Sequence, residues 1–318
     1  MSTKLRFILP HAFFKTRAAR CLTPVFCVFL ALSLTAFAAP GEIVVASYNL
    51  ENYLRMERRE ENQTVIAPKP EKEIQALIQI IKEINPDILG VCEMGSKDDF
   101  ADFKSRLKSA GLGYTDFEYV EGADPERHLA LASRFPIISR DSMPDVTFTA
   151  NGIQEKVRRG FLDVTVKISP GFQLRLVGAH LKSKLAAPEG EELLRRSEAH
   201  LLRQHTEKIM SANPDTELLV YGDFNDTKNE PAIKEIMGPR KGPDHLFDLW
   251  LQDNVGDRWT HYWKFADNYE RIDFMFLTGR LLSKVDHSKS YVYRSEHWNE
   301  ASDHRPVVAT FHGARVEK

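Results

Sequence analysis

Two residues two positions apart in residues 217–226, E-L-L-V-Y-G-D-F-N-D, have the types needed to handle a phosphate: Asp223 and Asn225. The carboxylate can hold a water or accept its proton, and the amide can donate to a phosphoryl oxygen. Leu218 to Tyr221 are apolar or aromatic and run into Gly222, the pattern of a strand buried on both faces. Asp223 and Asn225 then stand at the strand's carboxyl end, on a turn where side chains converge on a ligand. The same sort of residue recurs where other apolar runs stop. Asn49 ends the first run, Glu93 the second and His180 the run from Phe172. Asp273 opens a further run, and Asp303-His304 directly precede the last. Carboxylates and amides without thiolates make a hard-oxygen set, which selects Mg2+, Mn2+ or Ca2+ over zinc. A hard cation with a histidine and a carboxylate suits phosphoester hydrolysis: the cation neutralises oxygen charge while a fixed base orients the attacking water.

Such side chains need rigid elements to hold them. Residues 71–84 place Ile74, Leu77, Ile78, Ile81 and Ile84 on one helical face, stopped by Asn85-Pro86. Residues 97–110 read as a second helix ended by Gly111, and residues 190–212 as a long amphipathic third. Strands are expected over residues 42–49, 87–92, 114–120, 128–133, 160–168, 172–179, 271–277 and 306–311, with another between 290 and 294. Residues 51–69 are highly charged without clear periodicity and read as a loop. Strands mixed with helices in both halves imply an α/β (α+β) fold, two packed sheets with helices outside. No repeat, low-complexity segment or linker interrupts the chain, so one domain of about 280 residues is expected.

The amino terminus reads differently. Lys4, Arg6, Lys15, Arg17 and Arg20 precede a nearly unbroken apolar run from Leu22 to Ala38, which ends in Ala36-Phe37-Ala38. Basic region, apolar region and A-x-A site spell a cleaved secretory signal over residues 1–38, leaving a domain over residues 39–318. Without it the chain carries 38 basic and 45 acidic residues, a net charge of −7, which argues against nucleic-acid binding by bulk charge. Cys21 and Cys27 leave with the signal, and the remaining Cys92 can form no intramolecular disulfide. Export without disulfides points to a bacterial periplasm or medium.

Seven motifs occur in order after the signal: Y-N-L-E, D-I-L-G-V-C-E, L-A-S-R-F-P-I, G-A-H-L, Y-G-D-F-N-D, R-I-D-F-M-F and S-D-H-R-P-V. Together they resemble the endonuclease/exonuclease/phosphatase superfamily, the deoxyribonuclease I-like fold. The resemblance implies a four-layer sandwich of two packed β-sheets flanked by helices. It implies that Glu93 is the principal metal carboxylate with Asn49 beside it, and Asp303 the second. Asp223 matches the aspartate that orients or deprotonates the water, and Asn225 the amide that holds the phosphate. His304 matches the catalytic histidine, Asp273 the carboxylate orienting its ring, and His180 the histidine near the leaving group. The resemblance leaves the division of labour between Asp223 and His304 open. Glu51 reads equally as a metal ligand or a loop acid, and Arg134 as a phosphate contact or a structural residue.

The expected function is an exported phosphodiesterase using Mg2+, Mn2+ or Ca2+, most simply a nuclease. Arg158, Arg159, Lys182 and Lys184 beside the site strands favour a polyanion, and Trp259, His261, Tyr262 and Trp263 either stack on bases or cover a sheet edge. The other classes are a lipid-headgroup or inositol-phosphate phosphodiesterase and a non-catalytic binding protein. No exposed apolar hairpin is evident from the sequence to favour the lipid enzyme. The expected partner is the phosphodiester substrate alone, with no membrane span after residue 38 and a monomeric state.

Overall fold

Each of two six-stranded sheets is built around a single parallel pair of strands. In the computed structural model, which describes residues 41–60 and 63–313, the first sheet runs Tyr291–Val292, Val307–His312, Glu42–Tyr53, Ile88–Met94, His128–Ser133, Asp116–Val120 from edge to edge. Only Glu42–Tyr53 and Ile88–Met94 are parallel in it. The second runs Phe247–Asp248, Asp273–Leu277, Glu217–Asp223, Phe172–His180, Leu162–Ser169, Ile137–Arg140, and its parallel pair is Phe172–His180 with Glu217–Asp223. A parallel neighbour requires a crossover, and the helices Glu71–Ile84 and Glu191–Ala212 supply one for each sheet. The expected signal segment lies outside the described residues.

Register decides which side chains share an end. Asn49 pairs with Cys92, which puts Glu93 beside it. His180 pairs with Asp223, and Asp223 with Asp273, so three titratable groups stand in a row across the second sheet.

Between the sheets pack Val45, Leu131, Val164, Leu176, Leu219 and Met275. Leu77 and Ile81 of the first crossover helix, with Phe100 and Phe103 of Lys97–Ser109, cover Tyr48, Leu89 and Val91 on the first sheet's outer face. Leu202 and Ile209, with Ile233 of the helix Pro231–Met237, cover Val177, Val220 and Phe276 on the second. The result is four layers: helix, sheet, sheet, helix. Glu217–Asp223 is buried along its whole length because it has a layer on either face, which is why its sequence does not alternate. Each such Leu or Val contributes about 1.5–3 kcal/mol on burial. The Tyr221 ring needs Gly90 opposite, where a Cβ would lie 2.1 Å from Tyr221 Cε2.

Three differences from the sequence reading have physical causes. The first strand continues to Tyr53, and residues 51–69 are not a plain loop, since Met56–Glu60 and Gln63–Ala67 form a two-stranded ribbon. That ribbon joins neither main sheet and is mostly solvent-facing, so it leaves no apolar alternation to read. The region after Asp226 contains the short helix Pro231–Met237, marked by Pro at its first position and buried Ala232, Ile233 and Ile236. A ribbon of His261–Trp263 with Asn268–Glu270 follows it. Among the described residues, no helix is long and apolar enough to cross a membrane.

Candidate active site

The strand ends that carry the polar residues are bent sharply. Gly222 has φ +138°, and a Cβ there would lie 1.9 Å from Ala179 O, so only glycine lets the two parallel strands close up before Asp223. Asn225 follows in the left-handed region at φ 51°, its backbone N–H donating to Asp223 Oδ1 at 2.9 Å. Glu51, Asn52 and Glu93 are left-handed too, at φ 47°, 59° and 60°. Strained backbone of this kind persists only where surroundings enforce it, and it gathers at functional sites.

Asp223 Oδ2 is where the groups converge. Asn49 Nδ2 donates to it at 3.1 Å, His180 Nε2 lies 3.4 Å away and His304 Nε2 3.7 Å. His304 Nδ1 meets Asp273 Oδ2 at 2.8 Å, which fixes ring and tautomer. Asn49 Nδ2 also lies 3.4 Å from Glu93 Oε1, and Glu93 Oε2 accepts the Asn52 N–H at 2.8 Å. Asn225 Nδ2 donates to Leu181 O at 3.0 Å. On the far side of Asn49, its Oδ1 accepts the Glu51 N–H at 3.0 Å, and Glu51 Oε2 accepts the Asp303 N–H at 3.1 Å. Asn49, Glu51, Glu93, His180, Asp223, Asn225, Asp273, Asp303 and His304 therefore form one cluster drawn from both sheets.

Several supports carried no role in the motifs, although Ser302 opens the last of them. Ser302 Oγ donates to Asn49 O at 2.8 Å and accepts the His304 N–H at 3.0 Å, tying the two sequence ends together. Thr260 Oγ1 accepts the Asp273 N–H at 3.0 Å. His261 lies 3.6 Å from Asp303 Oδ2, with its ring 4.6 Å from that of His304. Lys69, fully buried, donates to Glu51 O at 2.9 Å and faces Glu73 at 3.2 Å. Serine, threonine and lysine in loops carry no distinguishing pattern, so only the fold reveals them.

Arg134 is a correction. Its Nη1 pairs with Asp87 Oδ1 at 3.1 Å and its guanidinium bonds Asn85 and faces the Tyr114 ring. Ser133 pairs with Ile88 while His128 pairs with Met94, so Arg134 stands at the opposite end of the strands, about 20 Å from Glu93. It fastens a strand end away from the candidate site. Lys182 and Arg159 do lie at the site end: the Lys182 N–H donates to buried Glu198 at 2.6 Å, and Arg159 Nη2 pairs with Asp124 at 3.1 Å. Lys184 Nζ lies 3.2 Å from Glu270. The aromatic stretch divides: Trp259 packs against Trp298 and under Arg305, whereas Trp263 is exposed.

Residues 46–304 match the Endonuclease/Exonuclease/phosphatase family. The chain belongs to this family. Solved structures share its fold: the catalytic domain of human Nocturnin with bound sulfate (TM-score 0.61, 20% identity, covering 86% of this chain and 94% of that one). Truncated TDP2 from Caenorhabditis elegans gives TM-score 0.58 at 19% identity, covering 86% and 98%, and an endonuclease/exonuclease/phosphatase from Bacteroides vulgatus 0.59 at 18%, covering 86% and 99%. No curated protein sequence matches. The chain is thus a phosphoester hydrolase of the endonuclease/exonuclease/phosphatase family, whose members work with a divalent metal.

Within this endonuclease/exonuclease/phosphatase centre, burial sets the charges. Burial pushes the Asp223 carboxyl up to about 7; His304 draws it down and Asp273 pushes it up further. Burial disfavours the His304 cation, but Asp273 and Asp223 outweigh it and hold the imidazole well above its ordinary range, protonated. His180 goes the other way: burial, then Arg159, His304 and Arg127, hold it well below its ordinary range and neutral. Burial and the Asp303 charge push Glu51 up to about 7, against the pull of Lys69. Carboxylates crowded until one resists ionisation are the setting a divalent cation relieves, so Glu51, Glu93, Asp303 and Asn49 are the candidate oxygen donors for the family's metal. His261, Asp303 and His304 also bring ligand atoms within 4.8 Å of one another, which adds an imidazole to the candidate donors.

Proposed function

We propose that this protein is an exported, divalent-metal-dependent phosphodiesterase that hydrolyses nucleic-acid phosphodiester bonds as a monomer. Asp223 carries this reading: its Oδ2 faces Asn49, His180 and His304 within 3.7 Å, so one buried carboxylate meets an amide, a neutral imidazole and an imidazolium. A carboxyl held near 7 is matched to accepting a proton from water at neutral pH, so Asp223 takes the proton of the attacking water. His304, kept cationic by Asp273 and Asp223, donates toward the phosphoryl oxygens as charge builds there. Asn225 Nδ2 donates to Leu181 O at 3.0 Å and, weakly, to Asp223 Oδ2 at 3.5 Å, and this second hydrogen turns to the phosphate when substrate binds. His180 contacts the phosphoryl group on the leaving-group side without adding charge. Glu93 and Asn49, with Glu51 and Asp303, would hold the metal, which would neutralise phosphoryl oxygen charge. Mg2+ is the ion proposed, with Mn2+ and Ca2+ suited to the same oxygens.

One observation favours a second reading. The ribbon of His261–Trp263 and Asn268–Glu270 exposes Trp263 and, at its tip, Phe265 at 94% exposure, and His261 at its base faces Asp303. The sequence had suggested no such apolar hairpin. Beside the site it would suit a lipid phosphodiester. A panel of plasmid DNA, RNA, sphingomyelin and a bis-aryl phosphate, with Mg2+ and with chelator, separates the two. Metal-dependent cleavage of DNA or RNA is expected; turnover of sphingomyelin with both nucleic acids left intact would overturn the nuclease. Export follows from the signal-like amino terminus. Secreted material should begin near Ala39, and amino-terminal sequencing that still finds Met1 would exclude it.

A further inference from the structure

The outer edge of the second sheet is open. Phe247–Asp248 is its last strand, and among the described residues no further strand pairs with that edge. A groove of about 640 Å³ runs there, lined by Lys228, Lys234, Met237, Arg240, Phe247 and Trp250. Phe247 and Trp250 are 40% and 59% exposed, so the groove offers two aromatic rings to solvent. The loop that carries Arg240 is held at both ends by one buried residue, Arg203. Gly238, left-handed at φ 67°, comes so close that a Cβ there would lie 2.4 Å from Arg203 Cζ. Arg203 Nη1 donates to Asp244 O at 2.8 Å, and its Nη2 pairs with the Asp244 carboxylate.

Charge in the groove is one-sided. Asp248 is the only acid lining it among the described residues, and it is already engaged: Lys228 Nζ lies 3.1 Å from its Oδ2, and Arg271 Nη1 donates to the same oxygen at 3.0 Å. Lys234 and Arg240 have no acid partner among the described residues. Arg258 has none either. Its Nε donates to Leu251 O at 3.1 Å, its Nη2 is buried without a partner, and its Cζ lies 3.4 Å from the centre of the Trp250 ring. The chain after residue 38 is acidic overall, so this gathering of cations is local. The groove also opens beside the active site. Arg271 stands two residues before Asp273, and Lys228 two after Asp226. Leu249 N–H donates to Met275 O at 2.9 Å, which sets Trp250 two strands across from Asp223, roughly 10–15 Å away by strand spacing.

Building on the nuclease reading, we infer that this edge groove is a second binding site for the substrate strand, a few nucleotides from the phosphodiester under attack. A base of single-stranded nucleic acid stacks on Trp250, and its flanking phosphates meet Lys234 and Arg240. Stacking accepts any base, so the groove adds affinity for a strand without reading its sequence. An acidic peptide would meet the charge, but its carboxylates would leave the exposed ring unoccupied.

Anisotropy of a labelled oligothymidylate of about twelve nucleotides, measured on the full chain in chelator so that no turnover intrudes, tests this. Trp250→Ala should weaken binding about fivefold to a hundredfold, the scale of one lost base stack. On an abasic strand of the same length, parent and Trp250→Ala should bind alike. Lys234→Glu with Arg240→Glu should weaken binding of both strands and lower the slope of log affinity against log salt by about 1–2. Poly-glutamate at equal charge should not compete. Unchanged affinity in Trp250→Ala, a Trp250 effect that persists on the abasic strand, or poly-glutamate competing as well as the oligonucleotide overturns the inference. Should Trp250→Ala fail to fold by circular dichroism, the double charge reversal on exposed side chains decides, and an unchanged salt slope overturns it. The two readings fail separately. A parent that binds through Trp250 yet cleaves neither DNA nor RNA loses the nuclease reading and keeps the groove. A parent that cleaves them while Trp250→Ala binds equally well loses the groove and keeps the nuclease.

Discussion

Replacing His304 by alanine should damage this protein in rate and in stability, and a second change should undo part of the stability loss. His304 and Asp273 are 5% and 2% exposed, joined by a 2.8 Å contact. Removing the imidazole leaves the Asp273 carboxylate buried without its partner. Breaking a buried charge pair from one side costs about 3–5 kcal/mol. Asp273→Asn in the same chain removes the stranded charge, so the double variant should be more stable than His304→Ala by about 1–3 kcal/mol. Rates should follow a different rule. A group in acid–base or charge-stabilising work contributes about 10²–10⁴-fold, so His304→Ala should lose that much in kcat. Asp273→Asn keeps the shape but drops the charge that holds His304 cationic, and its loss should also be large. Because the pair acts as a unit, the double variant should fall within a few-fold of His304→Ala. Steady-state kinetics on a bis-aryl phosphate and urea midpoints for the parent, both singles and the double give all four corners of the cycle. Losses that simply add, in log rate and in unfolding free energy, would refute the coupling and reduce Asp303-His304 to a turn before the last strand.

Chelator should abolish hydrolysis and Mg2+ or Mn2+ restore it; full activity in excess chelator would sink the metal assignment. The pH dependence of stability should run opposite to that of ordinary carboxylates. Asp223 and Glu51 bind protons more tightly folded than unfolded, so metal-free protein should lose stability as pH rises from about 4 to about 7 and stay at the lower level above. His304, with its raised folded value, adds stability that is likewise lost as pH rises through that value. Mg2+ should therefore raise the melting temperature more near about pH 8 than near about pH 5, and equal shifts by scanning calorimetry would contradict the crowded-carboxylate account. Arg134→Gln should leave kcat/KM within about twofold while lowering stability by roughly 1–3 kcal/mol; a tenfold rate loss would return Arg134 to the site.

Much of the scaffold was legible because burial on two faces writes unbroken apolar runs. His128–Ser133, Glu71–Ile84 and Glu217–Asp223 all coincide with such runs or with helical periodicity. The ribbon at Met56–Ala67 was not, since backbone pairing and the Arg58 contacts to Asn52 O and Leu54 O hold it, and neither leaves an apolar pattern. Pro231–Met237 and the aromatic ribbon were missed for a related reason: short elements carry too few residues for a period to stand out.

The sequence by itself determined the donor types and their order along the chain: Asn49, Glu93, His180, Asp223 with Asn225, Asp273, and Asp303-His304. It did so because each stands where an apolar run stops or starts, at or near a strand end, and strand ends are where a buried sheet exposes its chain. Tertiary structure alone decided which ends meet. Parallel pairing brings Asn49 to Glu93 and His180 to Asp223, whereas antiparallel pairing carries Arg134, one motif away from Glu93 in sequence, to the far edge. It also decided protonation. Asp223 and His304 look like an ordinary acid and an ordinary imidazole until burial pushes the acid up and the charges of Asp273 and Asp223 push the imidazole up, and those are properties of packing that no local spacing encodes.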